Sequence, residues 1–469
     1  TPSSRGLGDV YKRQIYMYSD VKHKKNIRFV ALKIWELLFI KKNKLSDIFR
    51  NDKSFNSLNS KDRSFIYFLI HLALRNHNQI KFFLKKFVKK QVSKNLYFLD
   101  GILLLGTAEI IWSRTPHYAV LNSYVDLSKI LCGVKYSGFI NAVLQNIVRQ
   151  KDNLSSSNWD IKNNYPKWML NSWEKQYGKI KTTKMLKVLN KEPYLDIICS
   201  KKMNIEMKNN LIKFLDGHEI HPNVIRSNYK GKINDILYFN KGIWWVQDLS
   251  SYLHIEYLLK FLKKINKNNE FLKISDICAA PGGKTFQLLD NGYEIVSNDI
   301  NKKRLNIMSD NLKRLNFKSK LISEDGRTYK FPEKQDIIII DAPCSSTGTI
   351  RKNPDILIRN NIIDLTKLQR IQQELLKNAA SNIKVGGYLM YIVCSLEEEE
   401  GEDIVNKFLK TNTNFQILNL NQYIQDLKTT LKLNTIGYLK FLPNDFKVHQ
   451  NDHLNGNNGF FSAIIERKF

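Results

Sequence analysis

The sequence predicts a multidomain protein: an N-terminal all-α helical domain, a small α+β linker domain and a C-terminal α/β domain of Rossmann-like type. Three observations point there. Between about 25 and 150 apolar residues recur at helical spacing with almost no proline. From 271 onward short apolar runs alternate with amphipathic stretches, the pattern of a parallel sheet covered by helices. The segment DICAAPGGKT at 276–285 then places a glycine turn directly after the first of those runs.

Length and composition bound the rest. A chain of 469 residues holds two or three domains. With 43% hydrophobic and 25% charged residues, a soluble globular protein is expected. The best candidate for a membrane span, residues 95–112, carries Asp100 and Glu109 and reads instead as a buried helix. Thr1 to Gln14 look like translated sequencing adapter, so the natural chain is expected to begin near Ile15 or later. No charged, apolar and small-residue succession of a secretory signal is read, and five cysteines without disulfide or metal spacing suit a reducing cytoplasm. His449 and His453 have helical ligand spacing, but no cysteine or third histidine is nearby, so no metal is expected. The formal net charge of +30 has two readings: a polyanionic partner, nucleic acid above all, or the Lys, Asn and Ile bias of an AT-rich genome.

In the N-terminal region Ala31, Ile34, Leu37, Leu38 and Ile40 open an amphipathic helix, and Phe65, Phe68, Leu69 and Leu72 repeat the spacing. Phe82, Phe83, Leu84 and Phe87 among Lys81, Lys85, Lys86, Lys89 and Lys90 make an apolar stripe on a basic helix, either core packing or an RNA-facing surface. Pro116 stands where a helix should start. A polar stretch at 151–158 and the Tyr165-Pro166-Lys167-Trp168 break open the linker domain over 160–245. There the pattern predicts a helix near 171–190, a strand at 195–200, a helix at 204–215 and strands around 222–239.

Strand one of the α/β domain, which spans 246–469, is predicted at 271–277, with a helix from 284. Strands follow at 293–298, 320–323, 336–340 and 388–393; the fourth is wholly apolar and suits a central position. Residues 415–420 and 460–466 would close the sheet.

Open α/β sheets bind ligands at the carboxyl ends of their strands. Pro281, Gly282 and Gly283 sit in the first such turn, where glycine permits close approach of backbone to a ligand. Asp299 ends the second strand, placed to accept ribose hydroxyls, and Asp325 follows the third, where it meets an adenine edge or merely caps a turn. The turn lacks a GxGxxG phosphate cradle, which favours S-adenosylmethionine over a dinucleotide. Cys344 follows strand four and Cys394 strand five, so neighbouring strands bring two thiols to one crevice. Carbon 5 of cytosine takes a methyl group only after a thiolate adds at carbon 6, and a second group must then assist release. Asp341 would hold or protonate ring nitrogen 3. An amino-group methyltransferase would instead show Asn/Asp-Pro-Pro-Tyr/Phe at that strand end. The acidic run from Glu397 to Glu400 reads as a capping box, Ser395 with Glu398.

These residues, with Pro116-His117-Tyr118-Ala119-Val120, the run from Gly138 to Leu144, Trp244-Trp245-Val246-Gln247-Asp248 and Gly459-Phe460-Phe461-Ser462-Ala463, resemble the Sun/RsmB family of ribosomal RNA (cytosine-5-)methyltransferases. The resemblance implies a NusB-like RNA-binding domain, the linker and an S-adenosylmethionine-dependent methyltransferase domain, acting in the cytoplasm as a monomer on 16S ribosomal RNA. It implies that Cys278, Ala279, Ala280, Pro281, Gly282, Gly283, Lys284, Asp299, Asp325 and Asp341 line the cofactor site. It also assigns Cys394 as nucleophile and Cys344 to product release; spacing alone leaves that choice open. Leu357 departs from the family's usual tryptophan, so a substrate-side contact is expected to differ there, and Glu324 from its usual glycine. The alternatives are a relative acting on transfer RNA and a non-catalytic RNA-binding or antitermination factor.

Overall fold

The computed structural model describes residues 26–40, 43–88, 97–155, 158–265, 272–359, 364–420, 437–447 and 454–469. His449, His453, Lys89 and Lys90 lie outside them, as do the first fourteen residues. The chain divides into two compact units, one running to Pro166 and including Asn353–Asn361, the other Lys167–Lys352 with Ile362–Phe469.

All elements described in the first unit are helical. Its longer helices are Ile27–Ile40, Ser60–Arg75, Tyr97–Trp112, His117–Leu131 and Ser137–Arg149. They bury a common core that includes Leu32, Ile34, Ile66, Ile70, Leu104 and Leu144. The apolar helix Tyr97–Trp112 is buried nearly all round, as its sequence suggested, and no described helix is long and apolar enough to cross a membrane. Its Glu109, fully buried, is matched by Arg28 through two hydrogen bonds of 2.5 and 3.0 Å. Pairing of this kind is what lets a charge persist in an apolar interior. On the basic helix His77–Lys85, Phe83 and Leu84 face the core while Phe82 stays 47% exposed, and Pro116 immediately precedes the helix it was expected to start.

The second unit begins with two helices, Lys167–Tyr177 and Lys179–Leu189, where one was expected at 171–190. Gly178, at φ +78°, breaks them, a backbone state that glycine adopts without penalty. A four-stranded antiparallel sheet follows, ordered β2-β3-β1-β4, with β1 Leu195–Cys199, β2 His218–His221, β3 Val224–Ser227 and β4 Trp244–Val246. The strands expected around 222–239 reduce to β3. Beyond it the chain makes short 3-10 turns at Ile233–Asp235 and Phe239–Lys241, with Tyr238 and Gly242 both at positive φ, before pairing again at β4.

The larger sheet has eight strands: β5 Ile274–Ile277, β6 Ile295–Asn298, β7 Lys320–Ile322, β8 Gln335–Asp341, β9 Ile383–Val393, β10 Phe415–Ile417, β11 Leu439–Phe441 and β12 Phe460–Arg467. Its order is β10-β12-β9-β8-β5-β6-β7, with β11 paired to β12. Strands β5 to β9 run parallel; β10, β11 and β12 add antiparallel. β8 is central, between β5 and β9. Its Ile337 and Ile339 enter one core with the helix Leu249–Lys264, and Ile338 and Ile340 enter another with the helices Leu365–Asn382 and Glu402–Thr411. Period-two alternation thus buries all four isoleucines, each worth about 1.5–3 kcal/mol.

Candidate active site

The carboxyl ends of β5, β6, β8 and β9 hold most of the expected residues. After β5, Cys278 takes a left-handed backbone at φ +61°, uncommon outside glycine. Ala279 donates its N–H to the carbonyl of Asn298 at 3.0 Å, which ties the turn to the tip of β6. Ala280 donates to Asp299 Oδ2 at 3.2 Å, and Asn301 donates to Asp299 Oδ1 at 2.8 Å. Arg304 approaches the same carboxylate at 3.4 Å and donates to the carbonyl of Ala280. Asp299 is therefore fixed, 2% exposed, between the glycine turn and the next helix. Pro281 is exposed at the apex of that turn.

The glycines have a nearer reason than ligand approach. Gly282, at φ +109°, precedes the helix Gly283–Asp290, and a Cβ there would enter the ring of Phe286 and come within 2.9 Å of Met308. A Cβ on Gly283 would press Gln247 at 3.3 Å. Internal packing already demands Gly282, whereas at Gly283 Gln247 would only have to give by a few tenths of an ångström. Lys284, 6% exposed, reaches from this helix to Asp341 Oδ2 at the end of β8, 2.7 Å away. Asp325 caps its own turn: its carbonyl accepts from Thr328 and Tyr329, and its carboxylate accepts from the Arg327 N–H at 2.9 Å. The Arg327 guanidinium grips the same carboxylate and holds it below its ordinary range.

The two strand-end thiols do meet. Cys344 Sγ and Cys394 Sγ are 3.4 Å apart, both half-buried, with the Ser346 hydroxyl 4.0 and 3.5 Å from them. The hydrogen bond from Cys344 draws Cys394 below its ordinary thiol value, and the Ser346 hydroxyl and the Lys284 charge act in the same direction. That same bond, burial and the charge of Glu400 push Cys344 well up. Burial raises the remaining three: Cys132 to about 11, Cys199 to about 12, and Cys278 upward as well. Of the five thiols, Cys394 alone is drawn downward.

The capping box is not formed. Glu398 makes no cap; the Ser395 hydroxyl instead accepts from the Glu397 N–H at 3.1 Å and donates to Glu400 at 2.6 Å. A 3-10 turn at Glu398–Glu400 replaces the expected helix start, and two of the four acids turn inward. Glu397, 1% exposed, accepts from the Trp173 indole and the Ser172 hydroxyl. Glu400, fully buried, accepts from Ser345, Ser395 and Gln372. Sequence reasoning missed Glu400, Ser345, Ser395 and Ser346. The available signal is the Cys-Ser pair, which occurs at both 344–345 and 394–395. Leu357 is buried in the short helix Ile356–Arg359, which belongs to the first unit, and Glu324 contributes only a carbonyl, accepting from Asn298.

A sheet of this order, with a glycine turn after β5 and an acid following β6, is built to hold a nucleoside cofactor, and the family match makes it that of an S-adenosylmethionine-dependent methyltransferase. Residues 262–465 match the family described as 16S rRNA methyltransferase RsmB/F, and residues 25–149 match the NusB family. The chain is 30% identical over 372 residues to ribosomal RNA small subunit methyltransferase B of Proteus mirabilis, covering 76% of this chain and 85% of that one. It is 28% identical over 410 residues to the protein of that name from Klebsiella pneumoniae, covering 83% and 90%. In fold it is similar to the solved structure of PH0851, with a TM-score of 0.67 over 94% of this chain and 98% of that one at 21% identity. It is also similar to NSun6 from Pyrococcus horikoshii, with a TM-score of 0.53 over 65% and 98% at 20% identity. This chain belongs to the RsmB/F family of 16S rRNA methyltransferases and is an rRNA methyltransferase.

The donor set fits the cofactor. S-adenosylmethionine offers ribose hydroxyls, an exocyclic adenine amine and an ammonium group as donors, with one carboxylate as acceptor. The strand ends present the carboxylates of Asp299, Asp325 and Asp341 and the ammonium of Lys284.

Proposed function

We propose that this enzyme methylates carbon 5 of a cytosine in 16S rRNA through a covalent adduct to Cys394. The observation that supports it is the thiol pair: two sulfurs at 3.4 Å, with Cys394 drawn toward the thiolate and Cys344 held as the thiol. Cys278, Ala279, Ala280, Pro281, Gly282, Gly283, Lys284, Asp299, Asp325 and Asp341 would hold the cofactor. When bound, S-adenosylmethionine supplies an electrophilic methyl group.

The target base leaves its stack to reach the strand ends. The Cys394 thiolate adds to carbon 6, forming a carbon–sulfur bond as the π pair of the 5,6 double bond shifts onto carbon 5. Asp341, oriented by Lys284, holds ring nitrogen 3 as charge builds on the ring. After methylation the carbon 5 proton leaves to a base. Its bonding pair restores the double bond, and the carbon–sulfur pair departs with Cys394. Cys344, in contact with that sulfur, assists this release. Residues 25–150 serve as the RNA-binding domain, 160–245 as the linker and 246–469 as the catalytic domain. Five free thiols accord with a cytoplasmic enzyme, and we take it to act as a monomer.

The test mixes S-adenosylmethionine and small-subunit RNA with wild type, Cys394→Ala and Cys344→Ala, reading denaturing gels and methylcytosine. Cys344→Ala is expected to trap a denaturant-stable protein–RNA adduct, and Cys394→Ala to lose both adduct and product. Normal methylation by Cys394→Ala would sink the mechanism. Activity on transfer RNA alone would move the substrate and leave the chemistry standing.

A further inference from the structure

The acid bonded to both cysteine loops, but unused by the chemistry, is Glu400. It is fully buried and has no Lys, Arg or His within ion-pair distance among the described residues. Its carboxylate accepts the Ser345 backbone N–H at 2.9 and 3.2 Å through its two oxygens, and the Ser345 hydroxyl as well. It also accepts the Ser395 hydroxyl at 2.6 Å and the Gln372 amide at 3.1 Å. Ser345 directly follows Cys344, and Ser395 directly follows Cys394. Gln372 carries the clamp one residue further back, donating at 3.0 Å to the carbonyl of Pro343. The acid is itself anchored, because the Tyr391 hydroxyl donates to its backbone carbonyl at 2.7 Å. Secondary links close the cluster: the two serine hydroxyls lie 3.1 Å apart, and Thr347 accepts from Leu396 at 3.0 Å.

An uncharged serine pair would be a cheaper way to fill this space, since a buried carboxylate without a cation survives only when hydrogen bonds satisfy it. Charge-assisted bonds are shorter and stronger than neutral ones, and they radiate here from one rigid group to both cysteine loops. That is the arrangement needed to hold two loops from different strands in register.

We propose that Glu400 is a positioning residue for the two-thiol reaction: its buried carboxylate clamps Ser345 and Ser395, and through them holds Cys344 and Cys394 at contact distance. The role rests on the thiol mechanism proposed above. Glu400, fully buried beneath the two loops, is placed to act through them. Misplacing a reacting group by about 1 Å can cost on the order of a hundredfold in rate.

The test compares wild type with Glu400→Ala and Glu400→Gln, the latter keeping the shape while replacing one acceptor by a donor. In the absence of RNA and cofactor, diamide takes two electrons and two protons from the thiol pair and becomes the hydrazine, leaving a Cys344–Cys394 disulfide scored by mass spectrometry. Wild type is expected to close the disulfide fastest, Glu400→Gln more slowly and Glu400→Ala at least about tenfold more slowly than wild type. The kcat for methylation is expected to fall about a hundredfold in Glu400→Ala and about tenfold in Glu400→Gln, with KM for RNA unchanged. If Glu400→Ala does not fold, Glu400→Gln decides the matter alone. Wild-type disulfide rates, a wild-type kcat, or a loss confined to thermal stability would overturn the proposal. Should Cys394→Ala methylate normally, the thiol mechanism falls by itself, because the diamide rates need no turnover and still report on the clamp.

Discussion

Cys394 and Glu397 sit three residues apart and are perturbed in opposite senses for different reasons. Cys394 gains a donor and a nearby cation, so its anion is favoured. Limiting iodoacetamide at neutral pH is therefore expected to alkylate Cys394 before Cys344, Cys132, Cys199 or Cys278, as read by peptide mass spectrometry. Equal labelling of the pair would contradict the asymmetry. Glu397 loses water, and burial lifts its carboxyl from an ordinary 4.5 to about 7. The sign follows directly. Between those values the unfolded chain has released the proton while the folded protein still holds it, so stability falls as pH rises through the window and levels off above about 7. The loss is on the order of 3 kcal/mol as an upper bound. Glu397→Gln keeps an acceptor for Trp173 and carries no charge. It should melt higher than wild type at pH 8 and equally at pH 5; parallel melting profiles would count against the buried acid. Asp276, also raised to about 7 by burial, titrates in both proteins and cancels from the difference.

At the scale of elements, the sheet end that carries the two thiols is a three-way junction. Gly348, in the loop after Cys344, donates its N–H to the carbonyl of Cys394 at 3.1 Å, and Gly459, at the start of β12, donates to the carbonyl of Gly348 at 2.8 Å. A Cβ at Gly348 would run into the Gly459 carbonyl, 2.6 Å from its carbon. Backbone cannot yield as a flexible side chain does. Gly348→Ala is thus expected to cost about 1–3 kcal/mol and to lower kcat on the order of a hundredfold with RNA affinity intact. Thermal melts and single-turnover rates check both, and an unchanged kcat would mean the loop has slack. This junction is only half legible in the sequence. The strand ends are, because β8 reads as Ile337, Ile338, Ile339 and Ile340 in succession and β9 as an apolar run before Cys394. The reason for Gly282 is not, since Phe286 lies within its own helix but Met308 arrives from another. Glu400 hides for the same cause: Ser395 and Glu398 offer a local capping pattern, while Ser395 bonds Glu400, whose other partner, Ser345, comes from a loop fifty-five residues back. β11 and the break at Gly178 show the complementary limit, where a three-residue strand and a single glycine leave too little pattern to read.

For the whole molecule the governing quantity is charge. Lysine and arginine total 74 against 44 acids, so 74 − 44 leaves 30 cations without an acid even if every carboxylate were paired. Several acids are already spent inside the fold, as Glu109 is on Arg28 and Asp196 on Arg226. Others, such as Glu400, are buried with hydroxyls and amides rather than with lysine. Meanwhile Lys179, Lys184 and Lys187 stand exposed along one helix of the second unit. Such an excess has the same composition whether it arises from coding bias or from selection for RNA. Salt separates the two, because only lysines that displace counterions from phosphates enter the salt dependence of binding. If about six to ten phosphates are neutralised, affinity for small-subunit RNA should fall about 10³- to 10⁵-fold between 50 and 200 mM salt. Binding isotherms across that range, taken with Cys394→Ala so that no adduct forms, give the slope of log affinity against log salt. A slope of about −4 or steeper assigns at least about four to six of the thirty charges to RNA contact; one near −1 leaves nearly all of them as compositional bias.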